Sequence, residues 1–485
     1  MKSLGLYLKI STPTLKVFTI TLKHDQNLDT NFYTARTTVY VIVVLLYLLS
    51  VNTSIISSYH YTILVFADSI LNGSTKIAPE TYYRYFPIAV DVISTSEGFI
   101  AAHSAGYVFW ASLSISISRF LTPGADREYF SAFRAMNFIS ALMGLLSMVF
   151  VEKIAKLYLN HREALLVAVF YAVGSIAWIY SAVAYTQSFS APFVAIGTYY
   201  LFSYLRLRRL HYLTLSFISF SAATAADHFL IIVGVSSLLL VCYVDRAKLK
   251  SLVTSTIFYS TFLILTLLYY IWVVGKPLPT QSLYAAQLGY SVLDITRVVR
   301  EYSLLEMLFG YKKGLPAVSP AVLLALLTSP LILLKVKTLE RVEVFYSLTV
   351  FLSTAFMYAS WYDWHGGLSY GPRLLYSLFP LLTTPTAIAL RTQKRLAYVF
   401  VSLSLLGAIS SAITVATDPL SCAYQDLARE NLAQPLVCNL PLLYFNCRSP
   451  TLLGWFGATC SIAVLIFIAT IVVVKGILLI SIGSV

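Results

Sequence analysis

Charged residues are scarce in this sequence. They make up 11% of its 485 residues, whereas hydrophobic residues make up 58%. A soluble globular domain carries roughly 25% charged residues. This composition therefore excludes a soluble globular domain and predicts an all-α polytopic membrane protein. The net charge of +13 does not imply a nucleic-acid partner, and none is predicted, since lysine and arginine collect on the cytoplasmic side of membrane proteins.

Motifs for metal binding and for secretion are also missing. There is no CxxC pair or other metal-site spacing, so neither a metal nor a certain cofactor is predicted. Residues 1–35 lack the small-residue cleavage site of a secretory signal and are expected to form a cytoplasmic tail. Three of the five cysteines, Cys422, Cys438 and Cys447, share one polar loop. If that loop is external, two of them can form a disulfide.

The apolar runs, and the charges on the connections between them, predict about twelve spans. The runs lie near 36–56, 133–151, 163–182, 191–205, 213–226, 228–244, 251–274, 317–334, 344–360, 373–390, 396–416 and 454–474. Five short connections carry three lysines or arginines each, whereas 183–190 and 361–372 carry none. This alternation follows the positive-inside rule and places both termini in the cytoplasm. The loops 57–132, 275–316 and 417–453 are then external.

Two segments need a separate interpretation. A span at 104–122 would invert every later loop, and its alternating serines with Arg119 favour an amphipathic segment on the outer side. Asp227 and His228 interrupt the apolar run 213–244. A charge in mid-membrane is costly, so we expect an outward turn there, either capped by Asp227 or contributing to a site.

One polar stretch, Trp361 to Pro380, lies between two apolar runs. Its glycines let the backbone approach a ligand closely, and Gly371-Pro372 predicts a turn into the following helix. Arg373 would then lie at the mouth of a membrane helix, beside the end that favours anions. Two interpretations stay open: a binding site, or an interfacial loop of the kind in which tryptophan and tyrosine are common.

Four stretches, in order, resemble the membrane-embedded C-type (GT-C) glycosyltransferases that use lipid-linked sugars, a group that includes the protein mannosyltransferases. The strongest is Trp364-His-Gly-Gly-Leu-Ser-Tyr-Gly-Pro-Arg373, which is similar to the group's Trp-x-Gly-Gly-x-Ser-x-Gly-Pro-Arg stretch before a late helix. Gly310 to Pro320 is similar to its Arg/Lys-Gly-Leu…Ser-Pro segment. Glu97 to Gly106 resembles its His-Pro-Pro-Gly segment with the prolines replaced, and Tyr180 to Pro192 resembles a short external turn.

The resemblance implies a GT-C-like fold with a helical external loop after the first span. It also implies transfer of a sugar from a polyprenyl-phosphate donor to a protein, lipid or glycan acceptor at the external membrane face. It covers about residues 36–390, which we expect to form a catalytic transmembrane module that includes loop 57–132. Residues 391–485 are expected to add further spans and the loop 417–453.

Such a reaction needs one base for the acceptor and fixed cations for the phosphate, which leaves as an anion. Arg373 is expected to hold the phosphate, because its planar fork binds phosphate oxygens bidentately, together with Lys312 or Lys313. The candidate bases are His60, Asp68, Asp91, Glu97 and Asp363. Further candidates for substrate binding are His103, Trp364, His365, Ser369 and Tyr370.

The sequence departs from the group in one respect. Members usually carry an acidic residue just after the first span, but here the position reads Ser57-Ser58-Tyr59-His60-Tyr61, and no carboxylate follows until Asp68. His60 nearly occupies that position and could titrate near neutral pH. A catalytically silent assembly subunit therefore stays an alternative. A transporter or flippase of lipid-linked glycans is a second alternative, although we find no clear repeat between the two halves.

Overall fold

Helices make up most of the residues that the structure describes. The structure, a computed structural model, describes residues 33–53, 58–85, 91–122, 128–244, 249–310, 314–366, 371–417, 449–455 and 457–483. The first elements are α1 (Tyr33–Ser50), α2 (Ser58–Leu71), α3 (Pro79–Tyr85), β1 (Val92–Thr95), β2 (Gly98–Ala101), α4 (Ala105–Leu121), α5 (Glu128–Ala155), α6 (His161–Val173), α7 (Ala177–Ala182), α8 (Thr186–Leu207), α9 (Leu210–Ala226) and α10 (Ile231–Val244). The later ones are α11 (Leu249–Val274), α12 (Thr280–Gln287), α13 (Ile295–Arg300), α14 (Ser303–Phe309), α15 (Leu315–Val318), α16 (Pro320–Leu333), α17 (Thr338–Ala359), α18 (Phe379–Thr392), α19 (Arg395–Thr417), α20 (Leu452–Trp455) and α21 (Cys460–Gly483). Two short 3-10 helices, His228–Leu230 and Arg373–Leu378, precede α10 and α18.

Six helices in the described part of the chain are long and apolar enough to cross a membrane. They are α1, α5, α11, α17, the continuous segment Arg373–Thr392, and α19. Four shorter apolar helices, α9 with α10, α16 and α21, accompany them. The predicted polytopic all-α membrane fold is thereby confirmed. The division of the chain into a tail and two further parts, and the side on which each terminus lies, stay predictions.

The run predicted over 163–182 is interrupted in the structure. Helix α6 ends at Val173, and α7 begins at Ala177. Between them, Gly174 lies so close to α19 that a Cβ there would be 2.7 Å from the carbonyl oxygen of Ser404. A residue with a side chain would push the two helices apart, so glycine permits this contact.

The segment predicted to be external contains a small β-hairpin that the all-helical expectation missed. Strands β1 and β2 pair antiparallel, with Val92 opposite Ala101 and Thr95 opposite Gly98. Below the hairpin, Ala102 N–H donates to the carbonyl of Asp91 at 2.8 Å. The hairpin packs on a hydrophobic core distinct from that of the main bundle, formed by residues such as Phe66, Tyr82, Ile100, Tyr107 and Phe133. It thereby holds Asp91 and His103 at its two ends.

Helix α4 occupies the segment 104–122 and is amphipathic. One face, which includes Tyr107, Ala111 and Ile115, is buried against neighbouring helices that include α2 and α5. Phe109 and Phe120 on the other face are exposed. The two faces agree with the amphipathic segment expected from the serine pattern.

The break at Asp227 is the predicted turn between two short helices. Helix α9 ends at Ala226, and the Oδ1 of Asp227 accepts a hydrogen bond of 3.3 Å from Phe229 N–H. This bond caps the 3-10 helix that leads into α10. The carboxylate thus satisfies a backbone group at a helix start, and its other oxygen remains for further partners.

The three loop cysteines, Cys422, Cys438 and Cys447, lie outside the described residues. Of the other two, Cys242 is an exposed free thiol and Cys460 is disulfide-bonded.

Candidate functional site

A polar cavity of about 90 Å³ lies where the ends of several elements meet. Its walls are formed by Tyr59, Asp91, Ala102, His103, Thr186, Gln187, Asp227, His228, Phe229, Gln281, Tyr284, Tyr358, Trp361, Tyr362, Asp363, Arg373 and Leu374. A larger groove of about 720 Å³ between α10, α16 and α17 is lined almost entirely by apolar residues and contains no carboxylate. Of these two, the smaller cavity is the candidate site, because it combines carboxylates, histidines and a cation.

Arg373 is the cation that lines this cavity. Its guanidinium lies 4.6 Å from the ring centre of Tyr185 and 5.5 Å from that of Tyr59. It forms no ion pair with a carboxylate of the described residues, and its buried Nε has no hydrogen-bond partner. Aromatic faces stabilise a cation without neutralising it, so the charge and fork of Arg373 remain available to an anion.

Asp91 faces this cation from the hairpin. Its backbone has a φ of +50°, the left-handed region that aspartate tolerates better than most residues. Burial, and next the neighbouring negative charge of Asp363, raise the pKa of Asp91 to about 6, although the positive charge of Arg373 opposes both. A carboxylate with this pKa is ionised at neutral pH and is basic enough to accept a proton.

Asp227 lines the same cavity and is the acceptor at the centre of a hydrogen-bonded network. Its Oδ2 accepts from Tyr358 Oη at 2.7 Å and from Gln187 Nε2 at 3.1 Å. Asp227 and Gln187 are each 4% exposed, and Tyr358 is fully buried. Because Oδ1 also accepts from Phe229 N–H, both oxygens of this carboxylate already accept hydrogen bonds. Asp227 is therefore a poorer candidate base than Asp91.

Three further polar atoms in the cavity walls are buried and have no hydrogen-bond partner among the described residues. They are Nε2 of His103, Oε1 of Gln187 and Nδ1 of His228. Burial, with the positive charge of Arg373 next and then that of His60, lowers the pKa of His103 to about 3. His103 is therefore neutral at pH 7. Because unsatisfied buried polar groups are costly, this set favours a ligand that offers hydroxyl groups or phosphate oxygens.

His60 and Asp68 do not line the cavity. His60 Nε2 donates to the carbonyl of Ala184 at 2.7 Å, and burial lowers its pKa to about 4, so it does not titrate near neutral pH as its position suggested. Asp68 pairs with Arg119 and accepts from Tyr129 Oη at 2.9 Å. Glu97 forms an exposed ion pair with Lys76 at the hairpin turn. The first contact joins α2 to the connection between α7 and α8, and the other two hold parts of the segment 57–132 together.

Only part of the polar stretch Trp361 to Pro380 lines the cavity. Asp363 lines the cavity, and its Oδ1 lies 3.2 Å from Nδ1 of His365. Trp364 is 9% exposed and donates through Nε1 to Glu301 at 2.8 Å. Neither Trp364 nor His365 is among the residues that line the cavity. The predicted residues Lys312, Lys313, Ser369 and Tyr370 lie outside the described residues.

Several cavity residues were not among the candidates predicted from the sequence. Gln187, Tyr284 and Tyr358 come from the start of α8, the short helix α12 and the end of α17. Tyr284 and Tyr358 belong to no spaced motif, whereas Gln187 lies within the stretch Tyr180 to Pro192. Asp227 did carry a signal, since a charge inside an apolar run marks a functional or capping role. In the described part of the chain, no three histidine, cysteine or carboxylate side chains are grouped so that they could hold a metal ion.

Comparison with known proteins places the chain in a class. Residues 130–272 match the model of the family described as dolichyl-phosphate-mannose-protein mannosyltransferase. The structure of ArnT from Cupriavidus metallidurans bound to undecaprenyl phosphate matches with a TM-score of 0.52 and 11% identity, over 94% of this chain and 78% of ArnT. The protein is therefore a polytopic membrane protein with the fold of ArnT. The resemblance to the membrane-embedded GT-C glycosyltransferases, including the protein mannosyltransferases, is confirmed.

Other similar structures are longer than this chain. The Archaeoglobus fulgidus oligosaccharyltransferase in complex with Zn and sulfate matches with a TM-score of 0.47 and 14% identity, over 79% of this chain and 52% of that one. The AglB oligosaccharyltransferase of the same organism, in complex with an inhibitory peptide and a dolichol-phosphate, matches with a TM-score of 0.40 and 15% identity, over 89% of this chain and 56% of that one. The chain thus spans about half the length of these enzymes. No curated protein matches the sequence.

Proposed function

We propose that the protein is an integral membrane glycosyltransferase that moves a sugar from a polyprenyl-phosphate donor to an acceptor, with the site on the external face. The observation that carries this proposal is Arg373, a cation that lies close to two aromatic rings in the polar cavity and whose buried Nε has no hydrogen-bond partner in the part of the chain that the structure describes. A carboxylate with a raised pKa, Asp91, faces it. A fixed cation for a leaving phosphate and a base for an acceptor are the two groups that this reaction needs.

The bond changes assign a role to each side chain. An acceptor hydroxyl attacks the anomeric carbon of the donor sugar, the bond between that carbon and the phosphate oxygen breaks, and its electron pair leaves on the phosphate. Asp91 takes the proton of the acceptor, and Arg373 stabilises the charge on polyprenyl phosphate. No general acid is required, because the leaving group is already an anion; this differs from glycoside hydrolysis by a carboxyl pair.

The choice of Asp91 as the base follows from what each carboxylate already contacts. Asp227 accepts three hydrogen bonds, and Asp68 and Glu97 are paired with cations outside the cavity. Asp363 lies close to His365 and, through its charge, raises the pKa of Asp91. In this proposal Asp363 tunes the base, and Asp91 compensates for the acidic residue missing after the first span.

The choice of donor class has support from one relative. ArnT, whose fold this chain shares, was solved bound to undecaprenyl phosphate, a polyprenyl phosphate. We infer that the corresponding ligand here is a polyprenyl phosphate carrying a sugar. The acceptor is a protein, a lipid or a glycan that reaches the cavity from outside the membrane.

The test is transfer of label from a radiolabelled pool of polyprenyl-phosphate sugars in membranes that contain wild type or Arg373→Ala. We expect label on an acceptor with the wild type only. Arg119→Ala is the matched control, because this arginine pairs with Asp68 away from the cavity and its loss should leave transfer intact. Wild-type transfer by well-expressed Arg373→Ala would exclude the proposed phosphate site. No transfer by any of the three proteins would favour a silent assembly subunit or a transporter.

A further inference from the structure

Helix α12 (Thr280–Gln287) approaches the cavity from a loop far along the chain from the hairpin. It contributes Gln281 and Tyr284 to the cavity walls. Residues 280, 284 and 287 lie at spacings of four and three, so they share one face of the helix. All three bond to the segment 91–103, the segment that carries both Asp91 and His103.

The three hydrogen bonds reach both ends and the first strand of the hairpin. Thr280 Oγ1 donates to the carbonyl of His103 at 2.7 Å. Tyr284 Oη accepts from Asp91 N–H at 3.3 Å, and Gln287 Oε1 accepts from Ser94 N–H at 3.0 Å. One helix face thus fixes the backbone of both cavity residues.

The hydrogen bond to Asp91 restrains a backbone conformation that is unfavourable by itself. Asp91 adopts a φ of +50°, which is unfavourable for a residue with a side chain and persists only where its surroundings impose it. Its carbonyl is already fixed by Ala102 N–H at 2.8 Å. Tyr284 fixes the remaining backbone group, its N–H. Loss of the tyrosine hydroxyl would release the peptide unit that directs the carboxylate into the cavity.

We propose that α12 is a positioning element for the reaction, and that Tyr284 acts through Asp91 to hold the base in line with the acceptor. This inference rests on the proposed function, in which Asp91 is the base. Tyr284 is a positioning residue, since its hydroxyl contacts the backbone of Asp91 rather than reacting atoms. Thr280 has the corresponding role for His103.

The main test compares Tyr284→Phe with Tyr290→Phe. Tyr290 belongs to the same loop, and its ring stacks on Tyr362 with centres 5.3 Å apart, a contact that phenylalanine keeps. We expect Tyr284→Phe to lower kcat by roughly 10-fold, the effect of one lost positioning bond, with the donor KM within about twofold of wild type. Tyr290→Phe should match wild type. Equal kcat values for the two variants, or a loss confined to KM, would overturn the proposal.

A double-mutant cycle asks whether Tyr284 acts through Asp91. In an Asp91→Asn background, Tyr284→Phe should lower the residual rate no further, because residues that act as a unit are not additive. A further loss of the same size would mean that Tyr284 acts independently of Asp91. Thr280→Val and Thr280→Ser form a second pair: the valine should lower kcat, and the serine, which keeps the hydroxyl, should restore it.

Amide hydrogen exchange separates this inference from the proposed function, because it needs no activity. In the purified full-length protein, Tyr284→Phe should speed exchange of the peptide 91–103, whereas Tyr290→Phe should not. Unchanged exchange would overturn the positioning role even if the protein is an active transferase. Faster exchange in a protein that transfers no sugar would leave the hairpin contact standing and reject only the proposed reaction.

Discussion

The guanidinium of Arg373 lies 4.6 Å from the ring centre of Tyr185. The ring stabilises the charge through its quadrupole but takes up none of the donors of the guanidinium. A carboxylate at the same place would occupy the fork that a phosphate needs. This pairing therefore suits a cation that must be held in place and still be free to bind an anion.

Replacing Tyr185 by leucine should weaken binding of polyprenyl phosphate about 2- to 30-fold, since a cation–π contact contributes roughly 0.5–2 kcal/mol. Tyr185→Phe keeps the ring and should bind almost as well as wild type. Titration of polyprenyl phosphate into the purified protein measures both. An equal loss in the two variants would show that the hydroxyl, and not the ring, supports Arg373.

The pH dependence of transfer should report the carboxylate pair. Because burial and the charge of Asp363 raise the pKa of Asp91 to about 6, kcat/KM should rise as pH increases through about 6, with a slope of one proton. Asp363→Asn removes the like charge, so the rise should move to lower pH.

The matched control for this shift is Glu97→Gln, which changes an exposed carboxylate paired with Lys76 at the hairpin turn. Its profile should coincide with that of wild type. A shift to higher pH in Asp363→Asn would contradict the assignment of Asp91 as the titrating base.

The same pKa shift predicts a change in stability. A carboxyl whose pKa is raised in the folded protein destabilises the folded state when it is ionised. The destabilisation is absent below the unfolded pKa near 3.9, grows as pH rises toward the folded pKa, and is complete above it. Asp91→Asn should therefore raise the thermal stability at pH 8, and the gain over wild type should shrink as pH falls from about 6 toward 4. Thermal denaturation of both proteins across this range measures it. A gain that is independent of pH would point to a cause other than the charge.

Part of this arrangement could be read from the sequence. Gly371-Pro372 before an apolar run predicted Arg373 at a helix mouth, and a 3-10 helix does begin at Arg373. The hairpin also has a local signal in the sequence, since Val92-Ile93-Ser94-Thr95 is rich in β-branched residues and Gly98, with a φ of +141°, follows the turn.

The cavity itself could not be predicted in this way. Gln187 and Tyr358 belong to different helices, and Asp227 lies at the break after α9. Their contact depends on how the helices pack, which no local spacing encodes. The same holds for the hydrogen bond between Tyr284 and Asp91. The sequence therefore offered candidate side chains whose roles stay predictions, and the structure decides which of them face one another.

The last prediction concerns the hydrogen bonds that Asp227 accepts in the cavity wall. Tyr358→Phe removes the donor that lies 2.7 Å from Asp227 and leaves a buried carboxylate with one partner fewer. We expect a loss of about 1–3 kcal/mol in the free energy of unfolding, because hydrogen bonds to charged groups contribute more than neutral ones. Tyr346→Phe is the control: this buried tyrosine bonds the neutral hydroxyl of Ser237 at 2.6 Å, and its loss should cost about 1 kcal/mol or less. Denaturation in mixed micelles compares the two, and an equal cost would imply that the hydrogen bond to Asp227 stabilises the fold no more than a hydrogen bond to a neutral hydroxyl.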